Sequence, residues 1–295
     1  MDIDVKELEE FLVWKLGRAV ELKHLASVPG KSVFRLPGED GHTDTFVKCA
    51  SMDDCRRSWR FLSVSALPFV PRVKFLYWWH GVGVMGLEWK EKGRRVAPEA
   101  MTAAQAKNLL EAHERLLAEM REKLGGDEEA LKPLPDAGGF YETVAGYVRR
   151  HPLAGRFIAS LAGIPETERT YDRASVTPIV NDFHCDNYAF DGDEVSAVYD
   201  FDWMRLGTAC EDLTYAFARR IRKARLSRRA RRRAADLFVE VVRSSPHPPQ
   251  EWRRAVNICR LDAAAKRLRS HPNSALVAID VLRRDKPLRE LVERI

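Results

Sequence analysis

With 295 residues, the chain is long enough for one large domain or two modest lobes and for a sizeable core. Hydrophobic residues make up 45% and charged residues 31%, the balance of a soluble globular protein. No apolar run is long enough to span a bilayer, and the acidic, amphipathic start Met1–Glu10 lacks the basic and apolar stretches of a signal peptide, so the protein is expected in the cytosol.

The formal net charge is +6, and it is unevenly spread: ten of the fifteen residues from Arg219 to Arg233 are Arg or Lys. Such a run is either a solvated helical face or a surface for an acidic partner; no nucleic-acid partner is expected. The five cysteines, Cys49, Cys55, Cys185, Cys210 and Cys259, form no C-x-x-C pair. A disulfide framework or a structural zinc site is therefore not expected.

In chain order, Val5, Leu8, Leu12, Leu16 and Val20 have helical spacing. A turn-rich stretch, Ser27–Lys31, leads to a strand at Ser32–Leu36, a hairpin connection at Pro37–Gly41 and a returning strand at Thr45–Cys49. Asp53–Val64 reads as a helix capped by Ser51 or Asp53, and Val73–Trp78 and Gly83–Trp89 read as two further strands. Helix, hairpin, helix and hairpin make a small α+β unit with a mainly antiparallel sheet. From there the pattern turns helical: Met101–Leu124, capped by Thr102 and ended by Gly125–Gly126, then Tyr141–His151 and Leu153–Ala162. A compact loop-and-strand region covers Thr177–Asp202, and Glu211–Ile295 is mostly helical with a break at Ser244–Pro249.

Chemistry concentrates between Val180 and Asp202, where V-N-D-F-H-C-D-N is followed by two short apolar runs around the hairpin turn Asp191–Gly192–Asp193. That hairpin brings Asp182 and Asn187 close to Asp200. Phosphoryl transfer needs such a set: a carboxylate to orient or accept the proton of the attacking hydroxyl, and a second carboxylate with an amide oxygen to hold Mg²⁺ against nucleotide phosphates. Asp182 suits the first task, Asn187 and Asp200 the second. Hard oxygen ligands with an amide suit Mg²⁺ better than zinc.

These residues carry a resemblance. Asp182-Phe183-His184-Cys185-Asp186-Asn187 is similar to the D-x-H-x-x-N core of the aminoglycoside phosphotransferase and choline kinase families, and Val198–Asp202 resembles the strand and aspartate that follow it. Arg205-Leu206-Gly207 and Glu211-Asp212-Leu213 resemble the family's glycine turn and the Asp-Leu that opens a helix, where the aspartate braces the catalytic loop. The resemblance implies an α+β, bilobal protein-kinase-like fold, with a nucleotide-binding small lobe over residues 1–89 and a mostly helical catalytic and substrate-binding lobe over 90–295. It implies Lys48 as the strand lysine on the phosphates, Glu88 and Trp89 in the hinge beside the base, Asp182 as catalytic base, and Asn187 and Asp200 as Mg²⁺ ligands. The cofactors would be ATP (or GTP) and Mg²⁺, and the activity an ATP-dependent kinase acting on a hydroxyl of a sugar, amino-alcohol or related metabolite.

The chain departs from the pattern at two points. Val180 stands where a His usually precedes the catalytic loop, and the helix after Lys48 has no Glu at its ion-pair position, where Arg56, Arg57 and Ser58 stand. Asp53 or Asp54 is the expected substitute partner of Lys48. The missing Glu keeps a second class open, a pseudokinase or anion-binding module; a metal-dependent hydrolase built on the same acids is a third. Gly30-Lys31-Ser32 imitates the end of a Walker A loop but lacks the upstream glycine, since Leu25 stands there, and is set aside. His184 is expected to order the catalytic loop and His113 to be packed in the core.

Overall fold

The Asp4 carboxylate accepts the Glu7 N–H and starts helix α1, Val5–Leu16, which turns off at Gly17, a turn short of Val20. The structure, a computed structural model, describes residues 3–38, 43–90, 93–125, 127, 129–223 and 225–295. Five strands follow: β1 (Lys23–Val28), β2 (Lys31–Leu36), β3 (Thr45–Ala50), β4 (Val73–Trp79) and β5 (Val82–Glu88), with helix α2 (Met52–Leu62) between β3 and β4. They form one antiparallel sheet in the order β1-β2-β3-β5-β4. Strand β1 was not expected, and only its last two residues, Ser27 and Val28, fall in the stretch expected as a turn; all six of its residues are exposed, so no buried face marks it in the sequence. The hairpin expected at Pro37–Gly41 lies partly outside the described residues.

The central strands of the sheet are packed on both faces. Leu8 and Leu12 of α1 pack with Phe34, Val47 and Val84, while Cys55 and Phe61 of α2 pack with Met85 and Leu87 on the other side. Glycine lets α2 come this close: a Cβ on Gly83 would lie 2.8 Å from Cys55 Sγ and 3.2 Å from the Met52 backbone. The helix and the turn after it are also tied to the chain beyond the sheet. Arg60 donates to Asp127 at 2.6 Å and to Glu129, and Glu119 accepts the Ala66 N–H at 2.7 Å.

The large lobe begins with α3 (Ala103–Leu124), whose N-terminus carries a complete capping box between Thr102 and Gln105 and whose C-cap is Gly125. Next come α4 (Ala137–Arg150) and three single-turn helices, α5 (Pro152–Gly155), α6 (Ala159–Ala162) and α7 (Glu166–Arg169). The continuous helix expected over Leu153–Ala162 is broken into α5 and α6; a glycine at position 155 costs a helix about 1 kcal/mol relative to alanine. Two small antiparallel pairs follow, β6 (Val176–Ile179) with β9 (Arg205–Thr208), and β7 (Tyr188–Asp191) with β8 (Glu194–Val198). Helices α8 (Glu211–Ile221), α9 (Arg228–Ser244), α10 (Pro249–Ser270) and α11 (Val277–Val292) complete the lobe. Phe217, Phe238 and Trp252 pack tilted and edge-on across α8, α9 and α10, and the main core runs unbroken from α2 and β5 to these helices. The Arg219–Arg233 run is divided between the end of α8 and the start of α9. Among the described residues no helix is long and apolar enough to cross a membrane.

His247, in the break between α9 and α10, bonds Glu114 of α3 at 3.0 Å and lies 3.8 Å from Glu251. Glu114, against burial, and the Glu251 charge raise the His247 pKa above its ordinary value. A raised folded-state pKa means stability that is present below pH about 6.5 and lost as pH rises through the folded value. His247→Gln should therefore lower stability in denaturant titrations at pH 6 and cost little at pH 9; equal losses at both would refute the charged pair.

Candidate active site

The loop between β6 and β7 is held from beneath by the first turn of α8. Asp212 is buried and accepts the N–H groups of Val180 at 2.9 Å and Asn181 at 2.7 Å, with His113 Nε2 at 3.3 Å from the same carboxylate. Asn181 takes the left-handed φ of 68°, and its side chain accepts from Arg205 at 2.6 Å, which is itself paired with Glu211. His113 is thus a core histidine with a specific partner, and Asp212 braces the loop as the resemblance implied. Asp212→Ala would leave the buried Val180 N–H and the partly buried Asn181 N–H unsatisfied, a cost on the order of 3 kcal/mol in a denaturation titration. A loss under about 1 kcal/mol would show that the loop holds itself.

Asp182 stands at the open side of this loop, its side chain 28% exposed. Asn187 Nδ2 donates to the Asp182 carbonyl at 2.8 Å and to its carboxylate at 3.4 Å. His184 Nδ1 accepts the Asp186 N–H at 3.2 Å, which leaves Nε2 to face the Asp182 carboxylate at 3.5 Å. His184 orders the loop, as expected. Burial pushes the Asp182 carboxyl up, but the bond and charge of His184, the charge of Arg219 and the bond from Asn187 outweigh it and hold the group below its ordinary value. At neutral pH Asp182 is therefore an anion, ready to orient a hydroxyl proton.

Opposite lies a cavity of about 650 Å³ between sheet and loop, with walls that include Val33, Phe46, Met85 and Leu87. Lys48, Glu88, Trp89, Asn187 and Asp200 all line it. The N–H of Glu88 donates to the Arg72 carbonyl and that of Trp89 to the Asp44 carbonyl, so these two amides are already engaged.

The ion pair of Lys48 corrects the sequence-based expectation. Asp53 and Asp54 sit in the first turn of α2, where Asp54 bonds Ser51 and pairs with Arg57 at 2.8 Å. Lys48 instead meets Asp202, and Ser58, one turn further along α2, donates to that same carboxylate oxygen at 2.7 Å. The helix supplies a hydroxyl where a Glu was missing, and the acid comes from the Asp-Phe-Asp run. Burial pulls the Lys48 ammonium down to about 8, the charge of Lys31 adds to this, and the charges of Cys55, Asp200 and Asp54 oppose it. Asp200 takes a left-handed φ of 62°, which turns its side chain into the cavity. There Lys31 Nζ bridges Asp200 at 2.7 Å and Asp202 at 3.2 Å. Lys31, Ser58 and Asp202 were missed; the second aspartate of Asp200-Phe201-Asp202 was the available signal.

The donor set fits a hard divalent cation. Asp200 already holds a cationic group, and Asn187 spends its amide hydrogens on Asp182, which leaves Asn187 Oδ1 to accept. Asn187 and Asp200 are the residues that would hold Mg²⁺, which when bound neutralises phosphate charge.

An antiparallel five-stranded sheet joined to a helical lobe, with the cavity between them, is a protein-kinase-like phosphotransferase fold. A model of the phosphotransferase enzyme family matches residues 78–255, and the chain belongs to that family. It is a phosphotransferase with an alcohol group as acceptor. No curated protein matches the chain. Among solved structures, the GDP complex of an aminoglycoside 2′-phosphotransferase-IIIa mutant is similar at 12% identity and a TM-score of 0.66, over 99% of this chain and 97% of that one. The macrolide 2′-phosphotransferase MphH from Brachybacterium faecium is similar at 12% identity and 0.60, over 95% and 96%. ADP-bound aminoglycoside phosphotransferase APH(2″)-Ib is similar at 17% and 0.59, over 99% and 98%.

Proposed function

We propose that the chain is an active ATP- (or GTP-) dependent kinase of a hydroxyl-bearing small molecule, with the nucleotide bound by the first 89 or so residues and the acceptor by the rest. The acceptor oxygen bonds to the γ-phosphorus, the bond to the β-phosphate oxygen breaks, the nucleoside diphosphate leaves, and the hydroxyl proton goes to Asp182. Lys48 holds phosphate oxygens, and Glu88 and Trp89 flank the base through their side chains and carbonyls. One observation carries the reading: the anionic Asp182 is bonded to Asn187, which shares a cavity with Asp200 and a buried, acid-paired Lys48. The feature that favoured a pseudokinase was a lysine without an acid, and Asp202 supplies that acid.

The acceptor is a neutral or anionic metabolite such as a sugar or a phosphorylated alcohol. Helix α8 places Asp212, Tyr215 and Arg219 at positions three and seven apart, on one face. Asp212 grips the catalytic loop, and Arg219, whose charge acts on Asp182, is exposed and makes no ion pair among the described residues. The solved aminoglycoside phosphotransferases make polycations the alternative acceptor. A kinase assay comparing kanamycin-type aminoglycosides with neutral sugars and anionic metabolites, at low and physiological salt, decides between them. Neutral or anionic acceptors should be turned over. A kcat/KM of about 10⁴ M⁻¹s⁻¹ or more on aminoglycosides would overturn this acceptor class.

A further inference from the structure

Lys31 belongs to no motif that the proposed chemistry uses, yet it makes the closest contact to the proposed metal ligand. It is the first residue of β2, next to the two-residue turn Pro29–Gly30, where Gly30 adopts φ 80° and the chain reverses over the cavity. From this tip the side chain crosses to the other lobe and puts its ammonium 2.7 Å from Asp200 and 3.2 Å from Asp202. Asp202 spends its other oxygen on Lys48 and Ser58. Asp200 has Lys31 as its one charged partner among the described residues.

Two carboxylates and two ammonium groups therefore form a cluster of zero net charge. A divalent cation approaching it gains little: the attraction of Asp200 is already used, and the Lys31 ammonium repels the newcomer at short range. A nucleoside triphosphate changes the balance. Its phosphates bring several negative charges into the cavity and offer oxygens to Lys31. The lysine can follow because its four-carbon stem is flexible and its side chain is partly exposed. Once Lys31 has moved, Asp200 is left with an uncompensated charge.

Taking Asp200 as the metal ligand of the proposed kinase, the geometry points to Lys31 as a resident counter-cation of that site. It neutralises Asp200 in the free protein, transfers to the nucleotide phosphates on binding, and thereby makes the site take up a divalent cation with the nucleotide rather than before it. Lys31 is a positioning residue for nucleotide and metal, and it forms no bond to the reacting atoms.

The test is direct binding to the full chain. Mn²⁺ is titrated by electron paramagnetic resonance, with and without a non-hydrolysable ATP analogue, for the natural chain, Lys31→Met and Lys31→Gln. The natural chain should bind Mn²⁺ weakly alone and much more tightly with the analogue. Both neutral variants should bind Mn²⁺ about tenfold more tightly without nucleotide, and both should lose about tenfold in affinity for the metal-free analogue. Adding Asp200→Asn to either variant should remove the gain in Mn²⁺ binding. Unchanged nucleotide-free Mn²⁺ affinity in both neutral variants overturns the role of Lys31. Failure of the natural chain to bind Mn²⁺ even with the analogue overturns the assignment of Asp200 itself, and with it this inference.

Discussion

Replacing Asp182 by Asn is expected to lower kcat by about 10²–10⁴-fold, the range that general-base groups contribute, while leaving nucleotide affinity and folding essentially intact. The separation follows from position. Asp182 is partly exposed and contacts Asn187 and His184, and it is not among the groups that line the cavity proposed for the nucleotide. The carboxylate is held below its ordinary pKa, so the ionised form dominates at neutral pH and the Asn variant removes a charge that is present. The measurement is steady-state turnover on any acceptor found, paired with calorimetric titration of a nucleotide analogue. Retention of more than roughly a tenth of kcat, a loss under about 1.4 kcal/mol, would show that Asp182 is not the base. A loss of nucleotide binding equal to the loss of turnover would move Asp182 to the nucleotide side.

The second large effect is expected at Asp202. Lys48 and Asp202 are both nearly buried, with side chains 4% and 7% exposed. Removing one partner of such a pair strands the other charge, typically at about 3–5 kcal/mol. Asp202→Ala should therefore destabilise the protein by that order in a denaturant titration. The partner change separates pairing from packing: Lys48→Met in the Asp202→Ala background should recover most of the stability, because no buried charge is left unpaired. Activity should not return, since Lys48, proposed to hold the phosphate oxygens, is gone. Additive destabilisation in the double variant would deny the pair.

What the sequence disclosed depended on separation along the chain. Asp182, Asn187 and Asp200 lie on one short segment that folds back on itself through the β7–β8 hairpin, so local turn chemistry was enough to bring them together. The contacts of Asp202 to Lys48 and Ser58 span 154 and 144 residues, and that of Lys31 to Asp200 spans 169. No periodicity reports such contacts, and helical proximity alone favoured Asp53 and Asp54. Elements with a buried face, such as α3 and β5, were legible from their apolar pattern. The fully exposed β1 was not. The protein-kinase-like fold followed from motif order, whereas the device that replaces the helix Glu needed the three-dimensional path of α2.

That path constrains how the cleft can move. Helix α2 and the turn after it are fastened to the large lobe through Arg60 and the Glu119 bond to Ala66, and α2 is pressed onto β5 at Gly83. It acts as a strut between the two halves, so the middle of the sheet cannot pivot far without breaking ionic and packing contacts together. Strand β1 has a neighbour on one side only, and its residues are all exposed. The edge hairpin reaches the other half through Lys31 at its tip, whose ion pairs with Asp200 and Asp202 would open once nucleotide phosphates take the lysine, as proposed above. On the proposed function, opening and closing over a nucleotide would be the flexing of a lip against a stiff jaw, and substitutions that stiffen β1 should slow nucleotide exchange while those in α2 should loosen the whole molecule.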